Sequence, residues 1–176
     1  MRTQLLILLL CFIGSLTSCQ REKETRVTDF VDPFIGTGGQ GHCFPGAAIP
    51  FGGIQLSPDN PRSGWEWCSG YHYSDSIISS FSHSHLSGTG IGDLQDIRLL
   101  PVTTRPQPGE RAIDFITKGY AKFSHANEFA EPGYYSVTFD NGIKTELSVT
   151  PRCGMHAYQF PDNSVYGLTL DLTTAR

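Results

Sequence analysis

The feature that most constrains this chain is Asp140-Asn141-Gly142, set between two runs of alternating apolar residues. Tyr134 to Phe139 leads into it, and Ile143 to Val149 leads away. Asn and Gly both accept positive φ, the conformation that lets one strand fold back tightly on the next. A period of two on either side gives each strand one face for a core and one for water. An antiparallel hairpin is expected here. A lone hairpin is barely stable in water, so more strands must cover it.

The rest of the chain offers such strands. Ile54 to Leu56 reads as a short strand ending at Pro58, Ile77 to His83 as a β-branched strand, and Ile97 to Val102 as another. Met155 to Phe160 and Tyr166 to Leu172 read as a pair folded around Pro161-Asp162-Asn163. Between Phe34 and Gly53 the Gly and Pro density rules out helix, leaving ordered loops. Pro106 to Gly109 is a loop, and Glu110 to Ile116 stays open between loop and short helical turn. The expected class is mostly β, an antiparallel β-sandwich. Its 176 residues suit one domain, and no heptad or internal repeat is visible. The pattern stops at Thr173-Thr174-Ala175-Arg176 straight after an apolar strand, so an incomplete sandwich is expected.

The N-terminus belongs to targeting. Arg2 precedes an apolar run from Leu5 to Ile13, too short for a permanent membrane span. Leu16-Thr17-Ser18-Cys19 then has the pattern of a bacterial lipobox, whose cysteine is lipidated after cleavage. The expected organisation is a signal peptide over residues 1–18, a flexible tether over 19–27, and the sandwich over 28–176. Export with a lipid anchor at Cys19 follows, on the envelope in the periplasm or at the outer-membrane surface. An ordinary secretory signal is the alternative. Cys43, Cys68 and Cys153 remain, an odd number that leaves at least one thiol without an internal partner.

Net charge is −4, and no Lys/Arg cluster occurs. A nucleic-acid binder needs a basic patch, so that class is excluded. The densest chemistry runs from Gly64 to Asp96. Gly64-Trp65-Glu66-Trp67-Cys68-Ser69-Gly70-Tyr71-His72-Tyr73 packs four aromatic rings and an imidazole into ten residues. Sugars stack C–H faces on such rings and need polar partners for their hydroxyls. Core packing is the competing explanation. His83-Ser84-His85 puts two imidazoles on one face if extended, with Asp93 and Asp96 downstream. Metal ligation, sugar contact and structural hydrogen bonding all remain open for them. No Walker lysine, G-x-S-x-G elbow or CxxC occurs.

A resemblance adds what spacing cannot. Asp32 to Gly39, Gly41-His42, Phe44 to Ala47, Pro50 to Gly52, Gln55 to Asp59 and Gly64 to Tyr73 resemble the opening of glycoside hydrolase family 92 enzymes. So do Phe81 to Gly90, Gly92 to Leu94, Phe123 to His125 and Glu131 to Tyr135. Two mild departures are Cys43, where the family has a hydroxyl residue, and Glu66, where it has Asp. The resemblance implies a calcium-dependent, inverting exo-α-mannosidase lineage. Such enzymes join a galactose-mutarotase-like sandwich to an (α/α)6 barrel that carries the acid, the base and the calcium ligands. It implies that this chain carries no catalytic residue and no metal ligand of its own. The substrate-binding candidates are Trp65, Glu66, Trp67, His83 and His85, with the two histidines equally able to brace loops or a domain interface. The expected partners are α-mannoside glycans and the barrel domain. The alternatives are a stand-alone carbohydrate-binding lipoprotein, a metal-dependent hydrolase built on His83, His85 and Asp93, and a non-functional truncated product.

Overall fold

The computed structural model describes residues 25–162 and 164–173. The signal, the lipobox and Cys19 lie outside them. The fold is two antiparallel sheets. In chain order the strands are β1 (Ser57–Asp59), β2 (Ile77–Ile78), β3 (Ser80–Ser82) and β4 (Arg98–Val102). A seven-residue helix α1 (Ala112–Lys118) follows. Then come β5 (Ala121–Glu131), β6 (Tyr134–Phe139), β7 (Lys144–Val149), β8 (Gly154–Gln159) and β9 (Gly167–Asp171). One sheet has the order β1-β3-β4-β9, the other β2-β5-β6-β7-β8.

The hairpin forms as expected between β6 and β7, with Tyr135 opposite Leu147 and Val137 opposite Thr145. Its loop has three residues, and only Gly142 carries positive φ, at 85°. Phe139 N–H donates to Ile143 O at 2.9 Å to close it. Tyr135, Val137, Phe139 and Leu147 alternate into the core. There they meet Phe81, whose ring lies 6.4 Å from Tyr135 and 6.0 Å from Phe139. Phe81 belongs to the opposite sheet, so this aromatic contact joins the two layers.

Four expectations change. Ile77 to His83 is not one strand. Ile77 and Ile78 pair with β5, whereas Ser80 to Ser82 pair with β1 and β4. Ser79 is the crossing point, where both N–H and hydroxyl donate to Asp59 O, at 2.8 and 3.1 Å. A strand that changes sheets in this way makes a sandwich corner. Pro58 does not end a strand but sits within β1, opposite Phe81. It is tolerated because β1 is an edge strand, where a missing N–H costs no ladder bond. The apolar runs flanking Pro161 do not pair with each other: β8 pairs with β7, and β9 with β4. The segment between them crosses from one sheet to the other. The fourth change is β5, an eleven-residue strand that the sequence reading missed. A bulge between Phe123 and Glu128 breaks its alternation, so no period of two shows.

Strand β9 also inverts its pattern. Thr169 and Asp171 turn inward, while Leu168, Leu170 and Leu172 are 52%, 54% and 69% exposed. The register explains this, because Asp171 lies opposite Arg98 and pairs with it. Among the described residues no helix is long and apolar enough to cross a membrane.

Candidate functional site

The Trp-rich segment is a short 3-10 turn, Trp65–Trp67, beginning after Gly64 at φ 126°. It faces the 88–95 segment across a cleft of about 330 Å³ lined by Trp65, Trp67, Cys68, Gly90, Gly92 and Gln95, among others. The two indoles differ in freedom. Trp67 is half-buried, and its Nε1–H donates to Asp75 Oδ2 at 2.6 Å. The Arg62 guanidinium stands 5.5 Å from its ring centre, and the His72 ring packs 5.0 Å away. Trp65 is 62% exposed and meets the His42 ring edge-on at 4.8 Å. Gly90 makes room for it, since a Cβ there would come within 2.6 Å of the Trp65 ring. Glu66 is exposed on the same turn and does not line the cleft.

The cleft floor holds unusual polar atoms. Gln95 is 2% exposed, and its Oε1 has no hydrogen-bond partner. Its Nε2 reaches Cys68 O at 3.4 Å. Cys68 Sγ lies 3.1 Å from His42 Nδ1, and His42 Nε2 is the second buried atom here without a partner. A buried acceptor left unpaired costs about 1–3 kcal/mol unless something else meets it. Sequence reasoning missed Gln95 and His42 because neither residue type is distinctive alone. Gln95 also has positive φ, at 62°, as do Leu94 just before it, at 69°, and Ile97 two residues on, at 55°. For an Ile this is a strained conformation, of the kind that collects at binding sites.

The two histidines go separate ways, and neither lines the cleft. His85 lies behind it, fully buried, with Nε2 3.0 Å from Asp59 Oδ1 and Nδ1 3.0 Å from Gln55 O. Ser80 and Ser82 hydroxyls donate to the same Asp59 carboxylate, at 2.7 and 3.0 Å. Arg98 closes the cluster 3.8 Å from Asp59 and 3.8 Å from Asp171. His83 faces the other way and meets His156 of β8, Nε2 to Nε2, at 3.2 Å. Burial and the neighbouring His83 hold His156 down at about 4, so it is a neutral imidazole near neutral pH. Asp93 is exposed and caps only the next residue, accepting from Leu94 N–H at 2.8 Å. His83, His85 and Asp93 therefore do not converge. Among the described residues no group of three or more His, Cys, Asp or Glu side chains is placed to hold a metal ion.

A second polar knot sits on the β5 bulge. Glu128 accepts from Tyr71 hydroxyl at 3.0 Å, Tyr135 hydroxyl at 2.7 Å and His125 Nδ1 at 2.7 Å. Burial and then the Glu128 charge push both tyrosines well above the ordinary phenol range.

Comparison with known proteins places these features in a family. Residues 30–176 match the family model described as the glycosyl hydrolase family 92 N-terminal domain. A protein of Arthroderma benhamiae named an uncharacterized secreted glycosidase is 30% identical over 152 residues, covering 81% of this chain and 18% of that protein. A family GH92 alpha-mannosidase of Bacteroides thetaiotaomicron, solved in complex with mannoimidazole, is similar at 39% identity and a TM-score of 0.75. That match covers 84% of this chain and 20% of the enzyme. A family GH92 inverting mannosidase of the same organism is similar at 27% identity and a TM-score of 0.68, over 85% of this chain and 20% of its own. The chain thus spans about a fifth of the length of these relatives. With its two antiparallel sheets and its family match over residues 30–176, this chain belongs to the glycosyl hydrolase family 92 N-terminal domain family.

Proposed function

We propose that the cleft between the Trp65–Trp67 turn and the 88–95 segment receives a sugar ring of an α-mannoside. The chain then serves as the N-terminal module of an exported exo-α-mannosidase. The observation that carries this reading is the pairing of two indoles with the unpartnered Gln95 Oε1 in one cleft. An indole face suits the C–H face of a sugar, and a buried acceptor suits a hydroxyl donor. Trp65 supplies the stacking face, Trp67 the fixed wall, and Glu66 a polar rim. His85 supports the cleft from behind through Asp59, and His83 ties its flank to the sheet edge.

None of the residues lining the cleft is acidic. Inverting hydrolysis needs two carboxyl groups on opposite sides of the bond, with room for water. In this reading those groups and the calcium ion come from an (α/α)6 barrel, and the Cys19 lipid holds the assembly to the envelope. The exposed Leu168, Leu170 and Leu172 favour a module over a stand-alone lectin, because stable monomers cover most of such apolar surface. Tryptophan fluorescence and calorimetry with mannose and mannobiose test the cleft, and binding lost on Trp65→Ala is the expected result. If the chain alone released mannose from an α-1,2-linked disaccharide, and calcium chelation abolished this, the division of labour would be wrong.

A further inference from the structure

We propose that His83 and His156 form a two-histidine site for a late transition-metal ion such as zinc, copper or nickel, at the rim between the two sheets. The proposed sugar cleft uses this pair only as a brace, through His83, and gives it no ligand. His83 follows β3 in one sheet, and His156 lies on β8, the edge strand of the other. His156 stands opposite Leu147, a core residue, so its ring projects into the gap between the layers.

The geometry is that of a chelate. The Nε2 atoms are 3.2 Å apart, and the ring centres 4.9 Å apart. Two imidazoles bound to one ion at about 2.05 Å, with an angle of about 100°, would place their nitrogens ~3.1 Å apart and their centres ~4.9 Å apart. Rings aimed head-on along a single hydrogen bond would hold their centres farther apart for the same nitrogen separation. Both separations match the chelate and not the head-on arrangement.

The outer partners fit as well. A histidine that binds metal through one nitrogen normally anchors the other. His83 Nδ1 faces Ile97 O at 2.7 Å, so that nitrogen carries the proton and Nε2 is left with a lone pair. His156 Nδ1 is 2.8 Å from the Tyr158 hydroxyl. Without metal, Tyr158 O–H donates to His156 Nδ1, and His156 Nε2–H donates to His83. With metal, the His156 proton moves to Nδ1 and Tyr158 oxygen accepts it, so no net proton is released. Backbone bonds fix the His83 position. Its N–H donates to Asp96 O at 3.0 Å, and its carbonyl accepts from Gln55 N–H at 3.0 Å. Both rings are only partly buried, so water can complete the coordination. Two neutral nitrogen ligands suit zinc, copper and nickel. They do not suit calcium or magnesium, which require oxygen.

The test uses the full chain carrying Cys153→Ser, which removes the exposed thiol near β8 as a competing ligand. Zinc is titrated by calorimetry, and copper(II) by electron paramagnetic resonance. One ion per chain is expected, with two-nitrogen hyperfine structure and no competition from millimolar calcium. His156→Gln and His83→Gln should each weaken binding at least tenfold, with the metal-free melting curve recorded for both. Tyr158→Phe should weaken it less while keeping the two-nitrogen signature. If His156→Gln does not fold, His83→Gln on the connecting segment decides the matter. Absence of stoichiometric binding, or equal titrations for the parent and both histidine variants, overturns the proposal.

Discussion

His85 and Asp59 face each other across 3.0 Å with both side chains fully shielded from water. The pair ties the loop after β3 to β1 and supports the floor of the Trp cleft. A Cβ on Gly70 would meet Asp59 Oδ1 at 2.6 Å, Gln95 Cδ at 3.1 Å and His85 Cδ2 at 3.2 Å, which shows how closely the loop after the Trp turn packs on this pair. Asp59 also pairs with the buried Arg98 guanidinium at 3.8 Å, and removing one member of a buried ion pair costs about 3–5 kcal/mol. Asp59→Ala should therefore lower stability by that order in urea unfolding. A loss below about 1 kcal/mol would place the network outside the folded core's essential contacts.

The two tryptophans should separate stability from binding. Trp67→Phe loses the hydrogen bond to the Asp75 carboxylate and should cost about 1–3 kcal/mol of stability. Trp65→Ala removes a largely exposed ring and should change stability by less than about 1 kcal/mol. Its effect should instead be on mannoside affinity. Thermal melting and sugar titration of both variants check the contrast. Equal loss of stability in the two would mean that Trp65 is a core residue.

The Tyr71 and Tyr135 hydroxyls, both bonded to Glu128, give a sign for alkaline pH. Their folded pKa values stand above the ordinary 10.0, so the folded state keeps protons that the unfolded chain releases. This stabilisation is complete below about pH 10 and is lost as pH rises further. Spectroscopic titration should show Tyr71 and Tyr135, together with Tyr158, which burial also pushes up, ionising only when the chain unfolds. Glu128→Gln should bring the titration of Tyr71 and Tyr135 closer to the others. Seven tyrosines ionising together in the folded protein would contradict this.

The close approach at Gly46 admits no side chain. A Cβ there would stand 2.1 Å from Leu56 O and 2.4 Å from Ser57 Cα, beside the bridge between Ala47 and Leu56. Gly46→Ala should separate the Gly/Pro-rich segment from β1. Circular dichroism and expression yield should reveal a destabilised protein, whereas Gly39→Ala, where no atom lies within 4 Å, should pay only for its positive φ of 58°.

The Leu168-Leu170-Leu172 stripe should make the isolated chain associate as concentration rises. Replacing Leu168 and Leu170 with Ser should shift sedimentation toward the monomer with little loss of stability. A parent chain that stays monomeric at high concentration would remove this expectation.

The sequence alone determined the local elements. Asn141-Gly142 between alternating runs was enough for β6 and β7, because turn chemistry and a period of two act within a few residues. The Gly and Pro density before Leu56 excluded helix for the same local reason, and the ordered motifs from Asp32 to Tyr135 pointed to the family. Tertiary structure decided what depends on distant partners. Ser79 splits one apparent strand between two sheets because Asp59, twenty residues earlier, takes its hydrogen bonds. The bulge at Glu128 hides β5 from any periodic reading, yet gathers Tyr71 and Tyr135 around one carboxylate. His83 and His85, two residues apart, enter different networks because Asp59 captures one and His156 the other. Alternation states that a strand has two faces, but the register with Arg98 decides that the leucines of β9 take the outer one.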